Sequence, residues 1–368
     1  MINNDENIER GLANLVHPGL NINGEVGIEV EVEGANLPVK IGGGGIWKAT
    51  KDNSLRGESM EYIFNGPKPR DNVDKYVDAL WSVFRVNNSI LNVSHRTSVH
   101  VHLNVSNLRV YDVVNIFTLY SIVEDFLIPF CGPQRAGNLF CLRMKDAQYV
   151  IKKFKDCILN YCFFRLGGDD IRYSGLNLDA CRKYGSVEFR AMRGLTEPEL
   201  VKQWVSILLE IKDAAVERFN SPREMVEQVS MLGAEGFLRS IFSENNFDTL
   251  FKYFNEANPD SSIQEVCYQG SRLMQEFAYT LDRHITRARA MAREGVFQVE
   301  PPKKMEMRWN VEPGQIDWDD VPRDLRAFEA QARGNAIPVA AMDDFEEPHD
   351  DDDDFEDDID REEEEDEE

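Results

Sequence analysis

Residues 24–34 read GEVGIEVEVEG. In an extended chain, successive side chains point to opposite faces. Val26, Ile28, Val30 and Val32 then share one apolar face, and Glu25, Glu29, Glu31 and Glu33 share the other. Neighbours on one face lie about 6.6 Å apart. At an effective dielectric near 20, each ionised pair repels by about 2.5 kcal/mol. Such a face either meets water or carries a cation.

The same alternation recurs along the chain. In SVHVHLNV (98–105), Val99, Val101, Leu103 and Val105 oppose Ser98, His100, His102 and Asn104. In SVEFRAM (186–192), Val187, Phe189 and Ala191 oppose Ser186, Glu188 and Arg190. SGLNLDA (174–180) sets Leu176 and Leu178 against Gly175, Asn177 and Asp179, and DNSLRGESMEYIF (52–64) brings Glu58 and Glu61 to a strand. Strands are expected around 171–178 and 185–192. These segments predict an α+β fold: one antiparallel β-sheet with a polar, concave face, and helices packed on the other face. A solvated sheet face mixes Lys, Thr, Ser and Glu, but this one carries carboxylates and imidazoles and almost no Lys. Carboxylate oxygens suit a hard divalent ion, and one histidine among them fits Mg2+ or Mn2+ better than structural zinc.

Helical spacing marks PRDNVDKYVDALWSVFRV (69–86), VYDVVNIFTLYSIVEDFLIPF (110–130) and about 145–164. The second is apolar over much of its surface and is expected to be buried. TEPELVKQWVSILLEIKDAAVERF opens a long helix, with Thr196 and Glu199 spaced as a capping box. Ser221, Pro222 and Glu224 repeat that start signal, and helical pattern continues to about Arg293 with breaks near 232 and 258. GGGG (42–45) lacks the Lys-Ser/Thr ending of a phosphate-binding loop and has no nucleotide role on its own.

The net charge of −25 is concentrated at one end. Residues 343–368 hold 20 acidic residues and one arginine, so the other 342 residues carry only −6. The expected organisation is an N-terminal arm (1–20), a catalytic domain (21–295), a Pro-interrupted linker with a short helix (296–342) and a disordered acidic tail (343–368). No basic stripe points to general nucleic-acid binding. The six cysteines lack CxxC spacing and read as reduced thiols in a cytoplasmic protein. The polar N-terminus is no signal peptide, and no membrane partner is expected.

The ordered series GIEVEVEG, Trp47, DNSLRGESMEYIFNGP, SVHVHLNV, LNL and GSVEFRAMRG resembles the amidoligase family of phages and bacteria, over about residues 24–205. These are carboxylate–amine ligases related to glutamine synthetase and glutamate–cysteine ligase. The resemblance implies a glutamine synthetase-like catalytic domain that uses ATP and Mg2+ (or Mn2+). A carboxylate is phosphorylated, and an amine attacks the acyl phosphate to give an amide. It implies Glu29, Glu31, Glu61, His100 and Glu188 as metal ligands, and Arg190 as stabiliser of the transferred phosphoryl group. His102 meets a phosphate or the substrate. Asp52 and Arg56 hold nucleotide or carboxylate, while Asn138 and Arg143 position the substrate. Glu25 and Glu33, at the strand ends, are expected to be solvated.

The substrates implied are a small-molecule or peptide carboxylate and an amine. Two other readings stay open at this point. One is a nucleotide-binding phosphotransferase or inactive ligase remnant on the same fold. The other is an interaction protein whose acidic tail takes a basic partner.

Overall fold

The computed structural model describes residues 4–17, 22–41, 45–52, 54–160, 163, 166 and 169–295. The expected linker beyond 296 and the acidic tail lie outside the described residues. In chain order the elements are α1 (Asn4–Ala13), β1 (Val26–Ala35), β2 (Trp47–Thr50), β3 (Ser59–Phe64), α2 (Val73–Val86), β4 (Ile90–Asn92), β5 (Ser98–Asn104), α3 (Val110–Cys131), α4 (Gln148–Leu159), α5 (Asp169–Arg172), β6 (Leu176–Asn177), α6 (Asp179–Tyr184), β7 (Ser186–Arg193), α7 (Pro198–Asp213), α8 (Pro222–Ile241), α9 (Glu244–Ala257) and α10 (Ile263–Arg293).

The strands form one antiparallel sheet in the order β2-β3-β1-β5-β7-β6, and β4 pairs with the far end of β1. The fold is α+β, as the alternating segments predict. Val26, Ile28, Val30, Val32, Val99, Val101, Leu103, Val187 and Phe189 are all buried on the apolar face. Against them pack Val77, Leu80, Trp81 and Phe84 of α2 and the long α3. Nearly every residue of α3 is buried, because α8, α9 and α10 cover the side away from the sheet. By length and composition α3 is long and apolar enough to cross a membrane, but here it is the central helix of the core.

Gly270 lets α10 approach α3 closely, since a Cβ there would lie 2.2 Å from the Ile122 carbonyl oxygen. The segment expected as an arm contains helix α1, whose Ile8, Leu12 and Ala13 join the core against α10.

Two local expectations are corrected. The strand expected at 171–178 is a short helix followed by two strand residues, Leu176 and Asn177. The Asn177 side-chain oxygen accepts the Asp179 amide at 2.9 Å, which turns the chain into α6 before a longer strand can pair. The Thr196–Glu199 capping box does not form either. Pro198 takes the first helical position, so Glu197 is the N-cap and Thr196 lies one residue outside. At α8 the spacing fits: Ser221 directly precedes Pro222, and its hydroxyl accepts the Glu224 amide at 3.3 Å. Ser221→Ala is therefore expected to cost about 1 kcal/mol in urea unfolding, whereas Thr196→Ala is expected to cost less than about 0.5 kcal/mol.

Candidate metal centre

Strand register brings the distant acids together. On the polar face Glu31 lies opposite Glu61, Glu29 opposite His100, and His102 opposite Glu188, which in turn pairs with Asn177. Two clusters result. The carboxylates of Glu31, Asp52 and Glu61 offer ligand atoms within 4.8 Å of one another, and so do Glu29, His102 and Glu188.

The sequence reading made His100 the imidazole ligand, but the geometry favours His102. Both ring nitrogens of His100 face protein groups: Nδ1 lies 3.1 Å from Glu29 Oε2, and Nε2 lies 2.8 Å from Ser98 Oγ. His100 thus joins the two clusters, since Ser98 Oγ also donates to Glu31. His102 Nδ1 meets Ser186 Oγ at 3.1 Å. Its Nε2 is buried, 3.3 Å from Glu29 Oε1, without an aligned hydrogen-bond partner. A ring held at Nδ1 by an oxygen presents Nε2 to a metal. Gly27 lies opposite His102, and a Cβ there would crowd the His102 Cβ at 3.2 Å.

Arg190 lies over the same acids. Between the pairs Val99–Met192 and Val101–Phe189, His100 alone faces both Arg190 and Ala191, so β7 bulges at Arg190. The Arg190 guanidinium donates from Nη1 to Glu188 Oε1, and Asn177 donates to Glu188 Oε2 at 2.7 Å. Arg190 Nε is buried without a hydrogen-bond partner.

The charges do not balance within the protein. With all five carboxylates ionised and both imidazoles neutral, Arg190 offsets only one of the five negative charges, and two divalent cations would offset the other four. Burial pushes the Glu61 carboxyl up to about 8, and repulsion from Glu29, Glu31 and Asp52 adds to it. Burial also opposes ionisation of Glu29, but the His100 hydrogen bond and the charge of the two adjacent imidazoles outweigh it and hold Glu29 well below the usual carboxylate range. Glu188 is likewise buried, yet lowered by the charges of His102, Arg190 and His100.

Glu29, Glu31, Asp52, Glu61, His100 and Arg190 line a cavity of about 110 Å3, with His102 and Glu188 set behind its wall. Larger clefts of about 490 and 450 Å3 lie around α4 and α10, away from both clusters. The mouth of the small cavity includes residues the sequence reading did not single out. Arg96 sits over the Phe140 ring, Arg172 sits over the Tyr173 ring, and the two rings touch edge to face. These four come from loops and a one-turn helix, where no periodicity marks them.

Three expected contacts fall elsewhere. Arg56 is exposed, does not line the cavity, and uses its amide to bind Glu33 at 3.1 Å. Arg143 pairs with Asp125 and Asp146 at another cleft. Asn138 braces two loops, donating to the His95 carbonyl at 3.0 Å and accepting from the Phe140 amide at 2.9 Å. Asp52 does reach the cavity, and its Oδ1 accepts the Ser54 amide at 2.8 Å. Glu25 is ion-paired with Arg70 and Lys212, each at 2.6 Å, rather than solvated.

Residues 71–212 match the family described as "Putative amidoligase enzyme". The match supports the amidoligase family and a ligase-type enzyme. The amidoligase-like segment contains His100, His102, Glu188 and Arg190, while Glu29, Glu31, Asp52 and Glu61 precede it. No curated protein matches the chain.

Proposed function

We propose that the protein is an ATP-dependent carboxylate–amine ligase that forms an amide through an acyl phosphate. The observation that carries this reading is the pairing of two three-ligand clusters beneath a buried arginine on one sheet face. Glu31, Asp52 and Glu61 suit an all-oxygen Mg2+ or Mn2+ site, and Glu29, His102 and Glu188 suit a second. The buried, unaligned His102 Nε2 and the raised Glu61 both mark places where positive charge is wanted.

When bound, divalent ions held by Glu31, Asp52 and Glu61 and by Glu29, His102 and Glu188 would supply positive charge to offset that of a transferred phosphoryl group. The chain's own residues do the rest. Arg190 Nε is left free to donate to an oxyanion. Ser186 and Ser98 hold the two imidazoles. Arg96 and Arg172, each without a carboxylate partner among the described residues, add positive charge at the mouth, where anionic substrates enter.

The test is ADP release with Mg2+ across amino acids, peptides and amines, followed by mass spectrometry of the product. Release that requires both an acid and an amine, with a new amide mass, is expected. ATP cleavage indifferent to amine would point instead to a phosphotransferase.

Cation binding should also release protons. Between its unfolded value near 4.5 and about 8, Glu61 binds its proton more tightly in the fold, so stability of the metal-free protein falls as pH rises through that window. At pH 7 an incoming cation displaces this proton. Calorimetry of Mn2+ binding in buffers of different ionisation enthalpy should show about one proton fewer released by Glu61→Gln than by the natural chain.

A further inference from the structure

Arg135, in the turn that follows α3, is buried with 2 % exposure and has no carboxylate partner among the described residues. Burying an unpaired guanidinium is costly, so its contacts matter. It donates from Nη2 to the Arg190 carbonyl at 2.8 Å and from Nε to the Ala191 carbonyl at 3.0 Å. Both carbonyls belong to the bulge that aims Arg190 at the acids.

The bulge is held by a second set of contacts. The Arg190 amide donates to the Gly175 carbonyl at 2.9 Å, and the Gly175 amide donates to the Leu142 carbonyl at 2.8 Å. Leu142 returns its amide to the Tyr173 carbonyl at 2.7 Å, and the nearby Met144 amide donates to Glu124 Oε2 at 2.6 Å. Glu124 Oε1 and the Tyr120 hydroxyl stand against Gly175, where an added Cβ would lie 2.6 Å and 3.2 Å from them. Burial pushes the Glu124 carboxyl up to about 8 despite its bond from Met144, which favours the protonated form.

We propose that Arg135 is a positioning residue for Arg190, clamping the two carbonyls of the β7 bulge while Glu124 braces the Gly175 segment. A fork of guanidinium N–H groups can hold two carbonyls at once in a fixed plane, which a single ammonium cannot do as rigidly. The clamp rests on the ligase reading only for its effect on turnover, because the position of Arg190 can be observed without it.

The test is a double-mutant cycle with a spectroscopic readout on the full chain. In Arg135→Lys, kcat for ADP release should fall about tenfold or more, with KM for ATP within about twofold. In an Arg190→Ala background the same change should have almost no further effect. The 15N-resolved Nε–H signal of Arg190, assigned by its loss in Arg190→Lys, should move in Arg135→Lys. If Arg135→Lys does not fold, Glu124→Ala replaces it and should move the same signal, whereas Glu124→Gln should restore it.

An unmoved signal in the folded variant, or an equal loss of activity in both backgrounds, overturns the clamp. A moved signal with no ADP release from the natural chain upholds the clamp and overturns the ligase reading.

Discussion

Glu31→Gln is expected to reduce amine-dependent ADP release about a thousandfold while leaving the fold intact. Glu31 is 6 % exposed and pairs in register with Glu61 at the centre of the sheet. The amide keeps the shape of the side chain but removes one ligand charge from the cluster with Asp52 and Glu61. It also places an N–H2 group where a cation would sit. Stability should rise or hold, because one of the repelling carboxylates is gone. A folded variant with lost turnover and weakened Mn2+ binding is thus the expected signature. Activity within tenfold of the natural chain would remove Glu31 from the ligand set. Thermal unfolding together with ADP release separates these outcomes.

Arg190→Gln is expected to lower kcat by about 10²–10³, with a smaller change in KM for ATP. The loss comes from two effects. The unpartnered donor at Nε is lost, and Glu188 loses the guanidinium bonded to Oε1. Arg190 is one of the charges that keep Glu188 ionised against burial, so its removal raises the Glu188 carboxyl. The acid limb of the pH–rate profile should then move to higher pH. An unchanged profile with reduced kcat would restrict Arg190 to the oxyanion role. Steady-state rates measured across pH 5–9 distinguish the two.

Much of the fold was legible because a period of two is a strong signal when one face is fully buried. β1, β5 and β7 keep their valines, leucine and phenylalanine on one side, and each one's polar residues fall on the other. What pattern cannot carry is pairing between distant strands. His100 and His102 share a face and are two residues apart. Their difference comes from neighbours across the sheet: His100 faces Glu29, while His102 faces Gly27 and Glu188.

The bulge at Arg190 is hidden for the same reason, since it exists only relative to β5. Loop residues gave no geometric signal. Arg56 and Arg143 carry the right charge for a phosphate or carboxylate, yet one is exposed away from the cavity and the other is consumed by Asp125 and Asp146. Arg96 and Arg172 reach the mouth from segments whose sequences look no different. The capping box failed at Thr196 through a single intervening residue, which shows how far a terminal motif depends on where proline falls.

Diffraction from a crystal of the protein soaked in Mn2+, recorded at the manganese absorption edge, bears most directly on the metal centre. Two anomalous peaks are expected, one among Glu31, Asp52 and Glu61 and one among Glu29, His102 and Glu188, each within about 2.0–2.3 Å of its ligand atoms. A well-ordered sheet with no peak at either cluster, in crystals holding millimolar Mn2+, would contradict the account.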